Sequence, residues 1–388
     1  SNLETWVAES QEQVTILIEP KNKELLENIA IRENVPLEFI GTINDTNRIQ
    51  VPNTNKNSGD GNGKIEYGID LSLDTILSDL PQKEYHLEPK NYEFPPLKLT
   101  RDILIRSIDN EGNLNSNDDK LLFKKLIKNV FSLVSVGSKR FLTNKVDRSV
   151  TGLVAQQQCV GPYQTPISNY ALLAQSWNQN TGVASTIGEQ PIKGIIDVEK
   201  MARMTVGEML SNLVWVKVSS MKDIKCSGNW MWAPKLPGEG YRLLKAVQSL
   251  TQCLIECNVG IDGGKDSLSM YVKNSDSNIV KSPASLVLTS YVPVPNINKK
   301  VSPDFKKPNS HILYIDLGKG LNRLSGSALV QSLKQIGNNP PDIESMEELI
   351  QIWNLIQELI SSDLILSGHD RSDGGLITTL IEMSISSN

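Results

Sequence analysis

Apolar positions along this chain fall into short blocks whose spacing switches between the strand period and the helix period. Val14 to Ile18 (VTILI) predicts a buried strand, and Asn22 to Glu33 has the spacing of an amphipathic helix. Glu38 to Ile43, Arg48 to Val51 and Lys64 to Leu73 predict further strands. From Leu97 the spacing turns helical and stays so through Leu121 to Val134; Tyr170 to Trp177 then predicts a strand. Asp197 caps a long helix expected to reach about Val218, with Met201, Met209, Leu210 and Leu213 on its apolar side. Tyr241 to Cys257 predicts a second amphipathic helix and Ser285 to Val292 a strand. Beyond these, His311 to Asp316 predicts a strand, Gly326 to Ile336 and Met346 to Ser361 helices, and His369 to Ser386 a loop feeding a helix.

Three polar stretches punctuate the pattern. Pro52 to Gly63 is an Asn/Gly/Ser loop, Pro81 to Pro96 an irregular linker dense in Pro, Glu and Lys, and Pro295 to Ser310 the best internal domain boundary. The chain opens on Ser1-Asn2, which reads as a cloning remnant, and stops on a helix with no closing strand. Both ends read as cut.

Bulk properties narrow the function. The 388 residues suit two domains, or one whole domain plus pieces of others, and 39% hydrophobic with 21% charged residues is ordinary globular composition with enough apolar material for a real core. A net charge of −5 supplies no basic surplus for a nucleic-acid partner. The locally basic Lys124 to Arg140 reads as the solvated face of an amphipathic helix and its exit. No apolar run approaches the roughly 20 residues that cross a bilayer, and no signal-peptide pattern opens the chain. Cys159, Cys226, Cys253 and Cys257 lack metal spacing, and His86, His311 and His369 are too dispersed for a histidine-built centre. A reducing cytoplasm is the expected compartment.

The chemistry concentrates between Val146 and Met270, where Gly, Ser, Asn, Gln and Asp are denser than a core element needs. Glu208 and Asn212 sit four apart and share one helix face. The pair reads either as oxygen ligands for Mg²⁺ or as a solvated face with an incidental hydrogen bond. Asp262 to Ser267 (DGGKDS) is either a ligand-approach loop or a Gly-Gly hairpin turn, and it lacks the Walker A pattern. Whether Lys265 and Asp266 line a substrate or close that turn stays open. Asp370 to Gly375 (DRSDGG) suits a metal-bridged phosphate or an ordinary capped turn, and Gly318 to Ala328 reads as plain turn chemistry. No Ser-His-Asp set or Cys-His pair is arguable; Cys159 reads as a buried or loop thiol.

Taken together, several strings closely resemble phosphoribosylformylglycinamidine synthases of the large single-chain type. They are Val146 to Pro166 (VDRSVTGLVAQQQCVGPYQTP), Gly188 to Pro191 (GEQP), Ile224 to Gly240 (IKCSGNWMWAPKLPGEG), Asp262 to Met270 and His369 to Leu376 (HDRSDGGL), with Trp6 to Gln13 in support. The resemblance runs over nearly the whole chain. It implies an α/β (α+β) fold in which an aminoimidazole-ribonucleotide-synthetase-like N-terminal domain is flanked by partial C-terminal-type α/β domains. Residues 1–95 would be the tail of a first repeat's C-terminal domain plus a connector. Residues 97–305 would be the second repeat's nucleotide-binding domain, and residues 311–388 the opening of that repeat's C-terminal domain.

The implied reaction converts formylglycinamide ribonucleotide to formylglycinamidine ribonucleotide with ATP and glutamine, in purine biosynthesis. ATP phosphorylates the amide oxygen and ammonia then displaces phosphate; Mg²⁺ offsets charge on the transferring group. The implied partners are nucleotide (ATP or ADP), the first synthetase repeat and a glutaminase domain. The second repeat's nucleotide is structural in this family, so the isolated chain is expected to be inactive. Carried over by resemblance, Lys139, Ser168 and Ser372 are the nucleotide-binding positions, and Asn169, Glu208, Asn212 and Asp370 the magnesium ligands. Asn169 departs from the family's usual aspartate, which weakens one ion of the cluster.

Two alternatives stand beside this reading. One is a related ATP-dependent synthetase of the same superfamily, against which the Lys225 to Trp232 string argues. The other is a nucleotide-stabilised scaffold module without chemistry of its own. A further expectation is that residues 1–50 and 311–388, complementary pieces of homologous domains, pair into one permuted domain.

Overall fold

Strands whose alternate residues are small or apolar organise the larger of two units into which the chain divides, Ser1–Tyr85 and His86–Asn388. The computed structural model describes residues 6–9, 12–53, 65–79, 81–90, 92–108, 118–145 and 152–387. The second unit holds a six-stranded sheet built from β1 (Val154–Gln156), β2 (Tyr170–Ala174), β3 (Gly182–Glu189), β4 (Lys225–Met231), β5 (Gly260–Ser267) and β6 (Ser285–Val294). Their order across the sheet is β1-β2-β3-β6-β4-β5. All pairs are antiparallel except β4–β5, which is parallel and therefore needs a crossover.

The helices α1 (Pro191–Ile196), α2 (Val198–Leu213), α3 (Glu239–Cys257), α4 (Met346–Ser361) and α5 (Gly375–Ile385) complete the unit's main elements. Helix α3 supplies the crossover between β4 and β5. One sheet face is dry: Ala184, Cys226, Leu286 and Leu288 are buried in one cluster with Met201, Val206, Met209, Leu210 and Leu213 of α2. The other face leaves Leu173, Val183, Ile187 and Tyr291 exposed, the one-sided pattern an antiparallel sheet allows. The mixed helix and strand content bears out the α/β class.

Helix α2 begins where expected, because the Asp197 carboxylate accepts from the N–H groups of Glu199 and Lys200 at 3.0 Å each. It ends at Leu213 rather than near Val218. The cause lies on α4. The buried amide of Gln357 donates to the carbonyls of Val214 (2.7 Å) and Val216 (2.9 Å) and accepts from the N–H of Val218 (3.0 Å). Those three backbone groups are thereby satisfied outside the helix, and Trp353 Nε1 adds a donor to the Leu210 carbonyl at 3.3 Å.

Other expectations are corrected. Within the first unit, Val14 to Ile18 and Glu38 to Ile43 form no strand, and Val14 is 85% exposed. The described strands there are the hairpin Arg48–Pro52 and Tyr67–Ser72, paired antiparallel. His311 to Asp316 is extended but unpaired among the described residues, with Leu313 88% exposed. An apolar run becomes a buried strand only if a neighbouring strand supplies its ladder. The helix expected over Gly326 to Ile336 shrinks to Ala328–Ser332, because Gly326, Lys334 and Gly337 all have positive φ and Gly326 N–H bonds the Ile336 carbonyl at 2.8 Å. DGGKDS is neither cradle nor turn. It is most of strand β5, where a Cβ on Gly264 would lie 2.7 Å from the Gly228 carbonyl, so only glycine lets β5 lie flush on β4 there. The stretch 146–151 and most of the Pro52 to Gly63 loop lie outside the described residues. Among the described residues no helix is long and apolar enough to cross a membrane.

A buried ionic group pins the start of α3. Glu239 accepts from Arg242 (2.9 Å), Tyr92 (2.9 Å) and Lys281. Burial alone would raise its pKa, but the Lys281, Arg242 and Tyr92 contacts outweigh it and hold the carboxyl below the usual glutamate value. Its stabilising contribution is therefore present above the unfolded-state pKa and is lost as pH falls through the lower folded value. Glu239→Gln is expected to flatten the acid limb of a stability-versus-pH curve; an unchanged limb would refute the assignment. Gln357→Leu leaves three buried backbone groups unpaired and is expected to cost about 3 kcal/mol or more in urea unfolding.

Candidate functional site

Helix α2 lies close enough to the sheet for its C-terminal half to reach the end of β3, because Gly188 leaves the room. A Cβ at Gly188 would lie 2.2 Å from the Thr205 carbonyl. Two side chains one helical turn apart exploit the approach. Glu208 Oε2 accepts from the N–H of Glu189 (2.7 Å) and from Gln190 Nε2 (2.8 Å). Asn212 donates through Nδ2 to the Ile187 carbonyl at 2.9 Å. Its Oδ1 is buried with no hydrogen-bond partner among the described residues.

The loop before α5 brings a second carboxylate. Asp370 is buried, and its Oδ1 accepts from Asn169 Nδ2 at 2.7 Å and lies 3.1 Å from His369 Nδ1. Its backbone carbonyl accepts from Thr379 Oγ1 of α5 at 3.2 Å. Asn169 itself is delivered by the turn that leads into β2, next to Ser168, whose buried Oγ also has no partner among the described residues.

The electrostatics link the two halves. Burial pushes the Glu208 carboxyl up to about 7, against the pull of the Glu189 and Gln190 hydrogen bonds, and the Asp370 charge pushes the same way. Lys193 of α1 is depressed by burial while Asp373 and Glu208 pull it back, and its ammonium donates to Gln190. His369 is pushed up to about 9: burial would lower it, but hydrogen bonds to Asp370 and Glu382 (3.0 Å) prevail. The result is a small basin of carboxyl, amide and ammonium groups with oxygen atoms left unsatisfied.

Of the expected positions, Asn169 and Asp370 are in direct contact, Glu208 feels the Asp370 charge, and Asn212 stands one turn from Glu208. Ser168 neighbours Asn169 in the chain, whereas Lys139 and Ser372 make their hydrogen bonds elsewhere. Lys139 Nζ folds back on its own turn, donating to the carbonyls of Val134 (2.5 Å) and Gly137 (2.6 Å). Ser372 is exposed, and its carbonyl accepts from Gly375 N–H at 3.0 Å. Among the described residues no three His, Cys, Asp or Glu side chains group as a metal site, so any cation here would draw on the amides as well. The donor set fits a hard cation in part: the Asn212 Oδ1 lacks a partner among the described residues and burial outweighs the pull of Lys193 on Glu208, yet Asn169 points a hydrogen donor at Asp370.

Three contributors escaped the sequence reading. Gln190 lies within the GEQP string and Lys193 two residues beyond it, and the string carries the resemblance without marking either as a site residue. His369 was set aside for its distance in sequence from other histidines, although Asp370 is adjacent and Glu382 stands on the following helix.

Trp215 holds the Asp370 loop in place. A Cβ on Gly368 would lie 2.0 Å from the Trp215 ring, so the indole packs directly on the backbone two residues before Asp370. Gly368→Ala must shift loop or indole and is expected to cost about 1–3 kcal/mol. Faster amide hydrogen exchange at residues 369–375, with exchange in β3 unchanged, is the accompanying signature; uniform exchange changes would contradict a local role.

The chain has relatives among known proteins. Residues 138–293 match the family model described as the FGAR-AT PurM_N-like domain. The chain is 43% identical over 400 residues to phosphoribosylformylglycinamidine synthase of Dictyostelium discoideum, covering 100% of this chain and 28% of that protein. It is 40% identical over 395 residues to the Homo sapiens protein of the same name, again covering 100% and 28%. A relative in Arabidopsis thaliana, a probable phosphoribosylformylglycinamidine synthase named chloroplastic/mitochondrial, is 43% identical over 393 residues, covering 100% and 27%. The chain thus spans just over a quarter of the length of these relatives. Among solved structures, Thermotoga maritima PurL complexed with ATP aligns over 95% of this chain and 47% of its own, with a TM-score of 0.49 and 12% identity.

Proposed function

From its kinship along the whole chain with phosphoribosylformylglycinamidine synthases, we propose that this chain is the part of such an enzyme that holds a nucleotide with Mg²⁺. The whole enzyme would convert formylglycinamide ribonucleotide to formylglycinamidine ribonucleotide, using ATP and glutamine. Residues 97–305 would form the nucleotide-binding domain. The segments on either side would belong to C-terminal-type domains, and their exposed apolar runs at 14–18 and 312–315 support that reading. A first synthetase repeat and a glutaminase domain would be the partners. Four free, buried cysteines suit a reducing compartment such as the cytoplasm.

The observation that carries the proposal is the buried Oδ1 of Asn212, unpaired among the described residues one helical turn from Glu208, a costly arrangement unless something electropositive binds there. Glu208, Asn212, Asp370 and Asn169 would hold the ion, Lys139 and Ser372 would contact the nucleotide's phosphates, and Ser168 would lie nearby. When bound, Mg²⁺ neutralises phosphate charge. The chain's own residues do the rest. Gln190 and the Glu189 N–H orient the Glu208 carboxylate, and Ile187 fixes the rotamer of Asn212 with its oxygen free. Lys193 adds positive charge at the same basin. Because these groups bind and orient, the reading favoured here is retention of nucleotide rather than its turnover.

Acid denaturation of the purified chain, with chromatography of the supernatant and metal analysis, tests this directly. Near-stoichiometric ADP or ATP with Mg²⁺ is expected; an empty chain whose melting temperature ignores added Mg-ADP would refute it. Asn169→Asp sharpens the test. It removes the neutral donor to Asp370 and adds a carboxylate, so Mg²⁺ affinity should rise at least severalfold in calorimetric titration while stability in EDTA falls through carboxylate repulsion. Equal Mg²⁺ affinity of the two forms would take Asn169 out of the site.

A further inference from the structure

We propose that a cleft between β1 and the C-terminal end of α4 binds a small phosphate-type oxyanion, as free phosphate or as a phosphomonoester, through the ammonium of Lys300. The cleft has a volume of about 300 Å³ and is lined by Gln156, Lys300, Ser302, Lys306 and Asp363, with Ile360 among its apolar walls. One water occupies about 30 Å³ in the liquid, so a phosphate group with a short organic substituent fits. The cleft shares no residue with the Glu208–Asp370 basin, and the inference does not depend on the function proposed above.

Charge accounting singles out Lys300. Lys306 is paired with Asp304 at 2.6 Å and also donates to Ser302 Oγ at 2.8 Å. Asp363 is paired with Lys299 at 2.5 Å. Among the described residues, Lys300 Nζ is held only by the carbonyl of Ala155, a neutral acceptor. An ammonium has three donors, and one is used. Burial lowers its pKa with no carboxylate to offset the effect. The backbone cannot carry the charge away, because Lys300 is bridged to Val216 and the next residue, Val301, donates to the Trp215 carbonyl at 2.9 Å. A half-buried cation fixed on both sides and lacking a counter-charge is stabilised by an anion that enters the cleft.

The test is calorimetric titration of the purified chain in EDTA with inorganic phosphate, glycerol 3-phosphate and acetate. Saturable binding of inorganic phosphate alone, or of both phosphates, supports the site and tells the free ion from the monoester. Acetate binding as tightly as phosphate would overturn the assignment. Lys300→Gln keeps a donor to Ala155 and is expected to weaken phosphate binding about tenfold or more, the loss of one charge-assisted contact. Lys300→Arg is expected to retain it and Glu208→Gln to leave it unchanged. A second readout needs no variant: phosphate should slow labelling of Lys300 by an amine-reactive reagent in the unsubstituted chain, scored by peptide mass spectrometry. Equal affinity in Lys300→Gln, or a labelling rate indifferent to phosphate, would overturn the proposal.

Discussion

The second unit depends on one buried amide. Gln357 satisfies three backbone groups of Val214, Val216 and Val218, and in doing so decides where α2 stops and how α4 sits on it. Without that amide the segment after Leu213 would have to continue as helix or bury unpaired carbonyls. Because α2 ends there, Trp215 is free to turn onto Gly368 and its carbonyl to accept from Val301. The positions of the Asp370 loop and of Lys300 both follow from this arrangement.

A second constraint is proximity. Gly188 and the small residues of α2 bring helix and sheet together, which is why Glu208 can be bound by the N–H of Glu189 while still sensing Asp370. The same closeness excludes water, and a carboxyl kept from water drifts towards its neutral form. Asn169 relieves part of this strain by offering Asp370 a donor where a carboxylate would have added a like charge. The basin is consequently less negative than one lined by acids alone.

Local signals in the sequence were read reliably where the element is closed by its own residues. The Asp197 cap, the apolar stripe of α2 and the periodicity of α3, α4 and β6 all lie close to where the pattern put them. Elements that need a distant partner were misread. Val14 to Ile18 and His311 to Asp316 have strand composition but no ladder, and composition does not say who the neighbour is. DGGKDS has loop composition, yet Gly264 is small because the Gly228 carbonyl lies opposite it on the neighbouring strand. Spacing indicated that Glu208 and Asn212 share a face, but not that the face meets Gln190, nor that α1 would bring Lys193 beside it. Those contacts are set by sheet order, which no local window contains.

That order has a temporal side. Strand β3 must wait for β6, whose last residue is Val294, before its second edge is covered. Chain growth of about 5–20 residues per second puts roughly 5–20 seconds between the synthesis of the two strands. During that interval Val183 and Ile187 lie on an open edge, and the crossover through α3 cannot yet close the sheet. A nascent chain at this stage is a surface for other strands to add to. How long that edge stays open is thus set by which strands are neighbours, quite apart from how stable the finished unit becomes.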